Sequence, residues 1–441
     1  MPDDWSRRAL LSSLGTIAIA GCTGSSPDSG SPSATTTVPP NRTTPTTTTH
    51  GTTTDRSRTA SSTSTQSEET ETTTTPQGDP EPPTSIDASW PMPARDPGLS
   101  NFAPNAPGPT AAIAELWTAS IDTELSTPIV HDETLYVGGR DGTVRAFDAR
   151  TGDTRWQQSI GANASAPRVQ DDRLFVPTNG AIVALEPKDG SEVWRTETPN
   201  RVDADGEDDE GGATVLVAPH GIYWISTGET TAVVGVEPND GSERWRTEIS
   251  EPWTPRLFAS QETVFVSTGT HSNRPWTIAP DTGSVTGSKP SYGHDFPADR
   301  FYLDGSVYGV DPFFGVVHGP GWTAGGEAFR AGRRYGLSGG ASNVFYVPKN
   351  DHSGGPGLLA LTQQAGETAW STDAVGASAT RPIVAAETVL VATDKTLYCF
   401  DPSDGTERWT KPIEDVGRAF VVVDDLVYAT HDGEIRAFRP P

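Results

Sequence analysis

The chain is poor in cysteine, in lysine and in long apolar runs. Only Cys22 and Cys399 occur among its 441 residues. So few cysteines exclude a scaffold built on disulfides, and stability must come from the core. The apolar run that precedes Cys22 is too short to form a permanent membrane-spanning helix. Cys399 lies in the apolar stretch TVLVATDKTLYCF, and we interpret it as a buried small hydrophobic residue rather than a nucleophile.

Positive charge is also scarce. Five lysines stand against 58 acidic residues, and the formal net charge is −26. Phosphate binding needs clustered Lys and Arg, and no basic cluster follows the N-terminus, so nucleic acid is excluded as a partner. Abundant acids, few lysines and many threonines are typical of adaptation to high salt. The alternative interpretation is general solubility.

Residues 1–22 read as an export signal. The stretch SRRALL, which contains Arg7 and Arg8, resembles the twin-arginine export motif. The stretch IAGC ends at Cys22 and resembles a lipobox, in which cleavage leaves the cysteine to carry lipid. A simple cleaved signal with an incidental cysteine is the alternative. The sequence therefore predicts an extracytoplasmic protein, anchored by lipid to the outer face of the cell membrane.

Residues 23–95 are dominated by Thr, Ser and Pro. Such a composition cannot bury enough apolar surface to offset the entropy of ordering, so it predicts a disordered linker that acts as a spacer. Asn41 lies in an Asn-Arg-Thr sequon, and Asn163 lies in an Asn-Ala-Ser sequon further along the chain. Both are candidates for N-glycosylation, although the pattern is short and often arises by chance.

An eleven-residue phrase recurs along the rest of the chain. It reads AFDARTGDTRW at Ala146–Trp156, ALEPKDGSEVW at Ala184–Trp194 and CFDPSDGTERW at Cys399–Trp409. Two short apolar runs separated by a turn precede each copy, so each unit predicts four short strands joined by hairpins. A period of about 40 residues with four strands per unit is typical of a β-propeller.

Counting the units predicts eight blades. Two degraded units fill the gap after Trp245, where Gly287 stands in place of a tryptophan and Phe329 is the candidate aromatic residue of the next unit. The stretches AELWTASI near the start and GEIRAFRPP at the end each supply part of one shared blade. We therefore expect residues 111–441 to form an all-β, eight-bladed propeller of four-stranded antiparallel blades. Seven blades is the alternative if residues 287–329 form one distorted unit.

The repeated phrase has a mechanical interpretation. In its first copy Asp148 can cap the turn, Gly152 can take a positive φ, and Trp156 can reach the next sheet. Burial of an indole contributes roughly 2–3 kcal/mol. We therefore assign blade docking, a structural role, to one set of tryptophans and glycines: Trp117, Trp156, Trp194, Trp245, Trp370, Trp409, Gly152, Gly190, Gly241, Gly283 and Gly405.

The phrase resembles the tryptophan-docking motif of the pyrroloquinoline-quinone (PQQ) repeat propellers. That family includes quinoprotein alcohol dehydrogenases and non-enzymatic relatives such as the BamB-type outer-membrane assembly lipoprotein. The dehydrogenases of that family hold PQQ on the propeller axis, with Ca²⁺, an aspartate base and a disulfide between adjacent cysteines. The resemblance would imply the same site here only if those residues were present. This chain has no adjacent cysteines. No catalytic residue is therefore carried over, and we expect no PQQ.

One acidic stretch is a candidate metal site. Asp203, Asp205, Glu207 and Asp209 offer oxygen ligands at alternate positions, which suits Ca²⁺. The bidentate glutamate of an EF-hand is missing from the required position. A solvated acidic loop is the alternative interpretation.

These observations predict a non-catalytic, extracytoplasmic, lipid-anchored propeller that serves as a protein-interaction or ligand-binding scaffold. Fold alone does not set function, so two alternatives stay open. One is an oxidoreductase resembling the PQQ-dependent dehydrogenases, and the other is a module that binds cell-surface polysaccharide. We expect a monomer whose partners are the membrane, through its lipid, and cell-surface proteins or glycans.

Overall fold

A computed structural model describes residues 80–441 except for position 162 and ten further gaps. The gaps are 202–214, 227–229, 250–255, 268–275, 289–299, 312–315, 326–334, 349–356, 376–378 and 418. The predicted signal with Arg7, Arg8 and Cys22, the sequon at Asn41, and the acidic candidates Asp203, Asp205, Glu207 and Asp209 lie outside the described residues. Within the described ranges, no helix has both the length and the apolar character needed to cross a membrane.

The described residues form 33 strands and one short helix. Two strands precede the first complete blade: β1 (Phe102–Ala103) and β2 (Ala114–Ser120). Blade 1 contains β3 (Ile129–His131), β4 (Thr134–Gly138), β5 (Thr143–Asp148) and β6 (Thr154–Ser159). Blade 2 contains β7 (Arg168–Gln170), β8 (Arg173–Pro177), β9 (Asn179–Leu185) and β10 (Glu192–Arg201). Blade 3 contains β11 (Val215–Ala218), β12 (Gly221–Ser226), β13 (Thr231–Val236) and β14 (Glu243–Ile249). Blade 4 contains β15 (Arg256–Ala259), β16 (Val264–Ser267), β17 (Trp276–Ile278) and β18 (Val285–Ser288).

The second half of the ring repeats the arrangement. Blade 5 contains β19 (Arg300–Leu303), β20 (Ser306–Asp311), β21 (Val316–Gly319) and β22 (Trp322–Gly325). Blade 6 contains β23 (Tyr335–Ser338), β24 (Asn343–Pro348), β25 (Leu358–Thr362) and β26 (Thr368–Thr372). Blade 7 contains β27 (Ile383–Ala385), β28 (Val389–Ala392), β29 (Thr396–Phe400) and β30 (Glu407–Pro412), and helix α1 (Ile413–Val416) follows it. Blade 8 contains β31 (Ala419–Val423), β32 (Leu426–His431), β33 (Glu434–Arg439) and, as its outer strand, β2.

The prediction of eight four-stranded antiparallel blades is confirmed. Blades 4 and 5 are separate sheets built from the two degraded units, so the seven-blade alternative is wrong. The first strand of each blade is the innermost and lines the central channel, while the fourth lies on the outer rim. Tight hairpins join the first two strands. In blade 1 that turn is Asp132-Glu133, whose φ angles of 48° and 55° match the twist that two-residue hairpins need.

The ring is closed by strands from distant parts of the chain. Strand β2 pairs antiparallel with β33, and Trp117 lies opposite Ala437. The prediction that AELWTASI and GEIRAFRPP complete one blade is therefore confirmed. Closure removes two sheet edges that would otherwise offer unpaired backbone groups.

Packed residues occur before both predicted boundaries, the linker end at residue 95 and the propeller start at residue 111. Trp90 is 1% exposed, and Ile86 and Met92 are also buried. Phe102 and Ala103 form β1, which adds a fifth, parallel strand to blade 7 beside β27. Composition hid this boundary, because proline and small polar residues continue without a break into the packed segment.

Candidate functional site

Six of the junctions between neighbouring blades use the repeated phrase in the same way. Trp156, on the outer strand of blade 1, packs over the loop that joins the third and fourth strands of blade 2. Its indole N–H donates to the carbonyl of Pro187 at 2.8 Å. A Cβ at Gly190 would lie 2.6 Å from Cε3 of Trp156, and Gly190 has a φ of 74°. Only glycine fits both the left-handed turn and the close approach of the ring.

The same bond recurs around the ring. The indole N–H donates to one carbonyl of the following blade in the pairs Trp117–Ala149 (3.0 Å), Trp156–Pro187 (2.8 Å), Trp194–Pro238 (2.9 Å), Trp245–Pro280 (2.7 Å), Trp322–Gln363 (2.7 Å), Trp370–Pro402 (2.9 Å) and, at the closing blade, Trp409–Pro109 (2.8 Å). A loop glycine lies under the ring in all but the last pair: Gly152, Gly190, Gly241, Gly283, Gly366 and Gly405.

Sequence reasoning missed Trp322, Gly366 and Pro109. The degraded unit was expected to end near Phe329, which lies outside the described residues, but its docking residue is Trp322. A two-residue turn, Pro320-Gly321, replaces the longer loop of the repeat and shifts the register. Pro109 supplies the missing loop carbonyl at the closing blade. Gly366, four residues before Trp370, has the position of a docking-loop glycine. It could have indicated a tryptophan on the preceding blade, which is Trp322.

The junction between blades 4 and 5 is different. Gly287 stands where the docking tryptophan would be, and blade 5 has the short turn instead of a receiving loop. Within the described parts of these two blades, both the docking tryptophan and the loop carbonyl that would accept its hydrogen bond are absent. Aromatic rings nearer the axis pack instead, with Phe265 stacked on Phe258 at 4.8 Å and on Tyr302 at 5.9 Å between centroids.

Cys399 has a structural place. It lies opposite Trp409 in the ladder, where other blades carry a small residue such as Ala146 opposite Trp156. The side chain is fully buried, and burial raises the pKa of its thiol to about 12. A thiol that stays protonated is a poor nucleophile, so the geometry agrees with a small packing residue.

The chain's own N-terminal segment, residues 86–109, runs along the channel wall and at its end passes over turns of blades 7 and 8. We name it the channel segment. Its backbone bonds in turn to the innermost strands of successive blades. The wall donors and segment acceptors are Val130 N to Trp90 O (3.0 Å), Val169 N to Pro91 O (2.7 Å), Ala259 N to Pro97 O (2.7 Å), Tyr302 N to Gly98 O (2.8 Å), Gly339 N to Ser100 O (2.8 Å) and Val384 N to Asn101 O (3.0 Å). These donors come from blades 1, 2, 4, 5, 6 and 7. The segment therefore makes a circuit of the channel at the end where the innermost strands finish.

A buried polar cluster fixes the middle of this circuit. Asp96 accepts hydrogen bonds from the backbone N–H of Ser100 at 3.2 Å and from its hydroxyl. Arg381, on the wall, donates to the carbonyl of Leu99 and, at 2.6 Å, to that of Leu337. Burial raises the pKa of Asp96, opposed by those bonds and by the charges of Arg95 and Arg381. The cluster joins segment and wall through charged groups withdrawn from water.

The axial residues do not fit the cofactor that the dehydrogenases bind. The channel segment lies against the innermost strands of six blades, and its side chains Trp90 and Leu99 are buried in clusters with blade residues. Cys399 is the one cysteine in the described part of the chain, and it lies within a blade rather than at the axis. We derive no chemical step through PQQ or Ca²⁺. The described residues also hold no group of three or more His, Cys, Asp or Glu arranged for a metal ion.

The remaining sequence candidate within the described residues is Asn163. It is half-buried and precedes Ala164, which forms a β-bridge with Thr178. Ser165, the third sequon residue, is buried, and its N–H donates to the carbonyl of Pro177. Glycosylation at Asn163 stays a prediction.

His220 is a half-buried titratable group that sequence reasoning left without a role. Its Nε2 lies 3.0 Å from the carbonyl of Ser260 in blade 4, and its Nδ1 lies 2.8 Å from the hydroxyl of Tyr223. Arg244 donates to the carbonyl of His220 at 2.9 Å. Burial lowers the pKa of His220, and the Arg244 charge lowers it further, against the opposing effects of the Ser260 carbonyl and Asp281.

We expect stability to fall as the pH drops below about 6.5, the ordinary pKa of histidine. Because the folded-state pKa is lower than the unfolded one, the unfolded state takes up the proton first as the pH falls. Melting curves between pH 8 and pH 5 should show a smaller loss for His220→Gln than for the wild type. His431→Gln, at the surface of blade 8, is the control. Parallel losses in wild type and His220→Gln would contradict the assignment.

Comparison with known proteins identifies relatives of this chain. A sequence model described as outer membrane protein assembly factor BamB matches residues 178–287 and 304–441. The assembly factor BamB of Burkholderia pseudomallei (strain K96243) is 30% identical over 92 residues, which are 20% of this chain and 24% of that protein. A polyvinylalcohol dehydrogenase from Pseudomonas sp is 25% identical over 286 residues, 51% of this chain and 42% of that protein. The matched stretches thus span less than half of either curated relative.

Solved structures show the same fold. The crystal structure of BamB from Moraxella catarrhalis superposes with a TM-score of 0.54 at 15% identity, and the match covers 75% of this chain and 98% of that one. Because the family model covers more than half of the chain, the protein belongs to the BamB-like family of PQQ-repeat β-propellers.

Proposed function

We propose that the protein is a non-catalytic, lipid-anchored scaffold that binds other proteins outside the cytoplasm. The observation that carries the proposal is the channel segment. It lines, with buried residues, the wall of the channel in which the family's dehydrogenases hold their cofactor. The family model's description as an assembly factor supports protein partners.

The direct test has two arms. Purified protein is incubated with PQQ and Ca²⁺ and assayed for dye-linked oxidation of alcohols and sugars, with a bound-cofactor absorbance spectrum as a second readout. We expect neither turnover nor a PQQ spectrum. The second arm is a pull-down of membrane proteins from the native host in high salt, which should recover defined partners. PQQ-dependent turnover would overturn the proposal.

A quinoprotein-like oxidoreductase is the second candidate. The similarity to a polyvinylalcohol dehydrogenase over 51% of this chain favours it. It requires the channel segment to make room for the cofactor in the channel, or the cofactor to bind elsewhere in the ring. The PQQ arm of the same experiment separates the two candidates.

The anchor can be tested separately. If Cys22 carries the lipid, Cys22→Ser should move the protein from the membrane fraction to the soluble fraction, because one lipid-bearing thiol is the proposed anchor. Immunoblots of salt-washed membranes measure the distribution, and Cys399→Ser is the matched control. A Cys22→Ser protein that stays on washed membranes would contradict lipid anchoring.

The acidic composition should make stability depend on salt. With a net charge of −26, carboxylates repel one another, and concentrated salt screens that repulsion. We expect the melting temperature to rise from low to molar KCl. A flat response would argue against adaptation to high salt.

A further inference from the structure

In most of the backbone hydrogen bonds between the channel segment and the channel wall, the wall residue donates and the segment carbonyl accepts. Five innermost strands, and Gly339 directly after a sixth, each donate one backbone N–H to a segment carbonyl. The turn after β27 adds two more donors, from Ala386 to Ala106 and from Glu387 to Pro107. The wall thus presents a ring of N–H donors directed at the axis. Edge strands carry such unpaired groups, and an extended peptide is the ligand that satisfies them.

The segment has the matching chemistry. Its sequence IDASWPMPARDPGLSNFAPNAPGP contains six prolines, each of which has a carbonyl but no N–H. Three of the accepting carbonyls belong to prolines, Pro91, Pro97 and Pro107. A proline-rich segment therefore brings fewer backbone N–H groups of its own to a wall that is rich in donors.

Bonds within the segment and bonds to the wall together set its shape. Within it, Leu99 N–H donates to the carbonyl of Asp96, and Asn101 N–H donates to that of Ala94. Ala94, Arg95, Leu99 and Asn101 have φ values of 57°, 73°, 61° and 56°, which L-residues rarely adopt. Contacts with the ring hold this conformation, including the bond from Arg381 to the carbonyl of Leu99. In this respect the segment behaves as a bound peptide.

We propose that the channel is a binding site for proline-rich peptides and that residues 86–109 are its resident ligand, held in cis. The inference goes beyond the scaffold function and does not depend on it. Covalent linkage gives the resident segment a high effective concentration, so a peptide added in trans competes poorly with it in the intact chain. Severing the link removes that advantage.

The experiment uses the full chain with a specific protease site inserted between Ala111 and Ala112, which are exposed and lie between the segment and β2. Cleavage leaves the β2–β33 closure intact. The probe is a fluorescent synthetic peptide of residues 84–110, and its anisotropy reports binding. The control chain carries the same site before residue 80, so cleavage there leaves the segment attached.

After cleavage at 111–112 we expect the fragment to co-elute with a folded propeller and the labelled peptide to exchange into it saturably. The control chain should show at least tenfold less exchange. A peptide with Pro91, Pro97 and Pro107 replaced by Ala should bind at least tenfold more weakly. A folded, cleaved protein that loses its fragment and binds no peptide would overturn the proposal. Unfolding on cleavage would overturn it too, since the segment would then be part of the fold and not a ligand.

Discussion

Deleting the residues after Thr430 is expected to produce a chain that aggregates or melts far below the intact protein. The deletion removes β33, which pairs with both β2 and β32 in blade 8. Two strands then lose their ladder partners and expose open edges. The loss should equal or exceed that of deleting a large buried side chain, about 3–5 kcal/mol. Circular dichroism and size-exclusion chromatography measure the outcome.

The matched control removes residues 25–75, part of the Thr/Ser/Pro-rich stretch that precedes the described residues. Because its composition cannot support a core, this deletion should leave the melting temperature unchanged. A C-terminal deletion that melts like the intact protein would show that β33 does not close the ring.

Replacing one docking tryptophan should have the next largest effect. Trp370 is 8% exposed, donates to the carbonyl of Pro402 at 2.9 Å and packs on Phe345 with 5.8 Å between centroids. Trp370→Ala removes this packing and leaves a cavity at the junction of blades 6 and 7. We expect a loss of about 3–5 kcal/mol in the free energy of unfolding.

Trp276→Ala is the matched control, because Trp276 is only partly buried and its indole N–H bonds to no neighbouring loop among the described residues. Chemical denaturation of both variants measures the difference. Equal losses of unfolding free energy would show that a tryptophan at the docking position stabilises the ring no more than one elsewhere. Gly405→Ala should also destabilise the ring, because the added Cβ would lie 2.5 Å from Cε3 of Trp370.

The repeat made most of the fold predictable. Each blade carries local signals for strands and tight turns, and the spacing of the tryptophans counts the blades. The docking residue of blade 5 was not predictable, because a shorter turn shifts its position relative to the repeat period. At Trp322 a two-residue turn replaces the longer loop, so the tryptophan comes earlier than the period requires. A period measured on intact units cannot foresee such a deletion.

The channel segment could not be predicted, because backbone groups make most of its bonds and leave no residue pattern. Its carbonyls pair with amides that lie from about forty to nearly three hundred residues away in sequence. One signal was visible: Trp90 is a large aromatic residue in a stretch otherwise read as linker. Such a residue rarely stays in solvent without a packing role.

The junction between blades 4 and 5 makes the resistance of the ring to local opening uneven. Stacked Phe258, Phe265 and Tyr302 hold its inner side, but the described residues supply no indole clasp on its outer rim. Separation of neighbouring sheets at the rim therefore needs the least free energy there. The propeller's symmetry suggests that its eight junctions between blades resist opening equally. The sequence instead makes the junction between blades 4 and 5 the easiest to open, and it lies far around the ring from blade 8, where the closing strands meet.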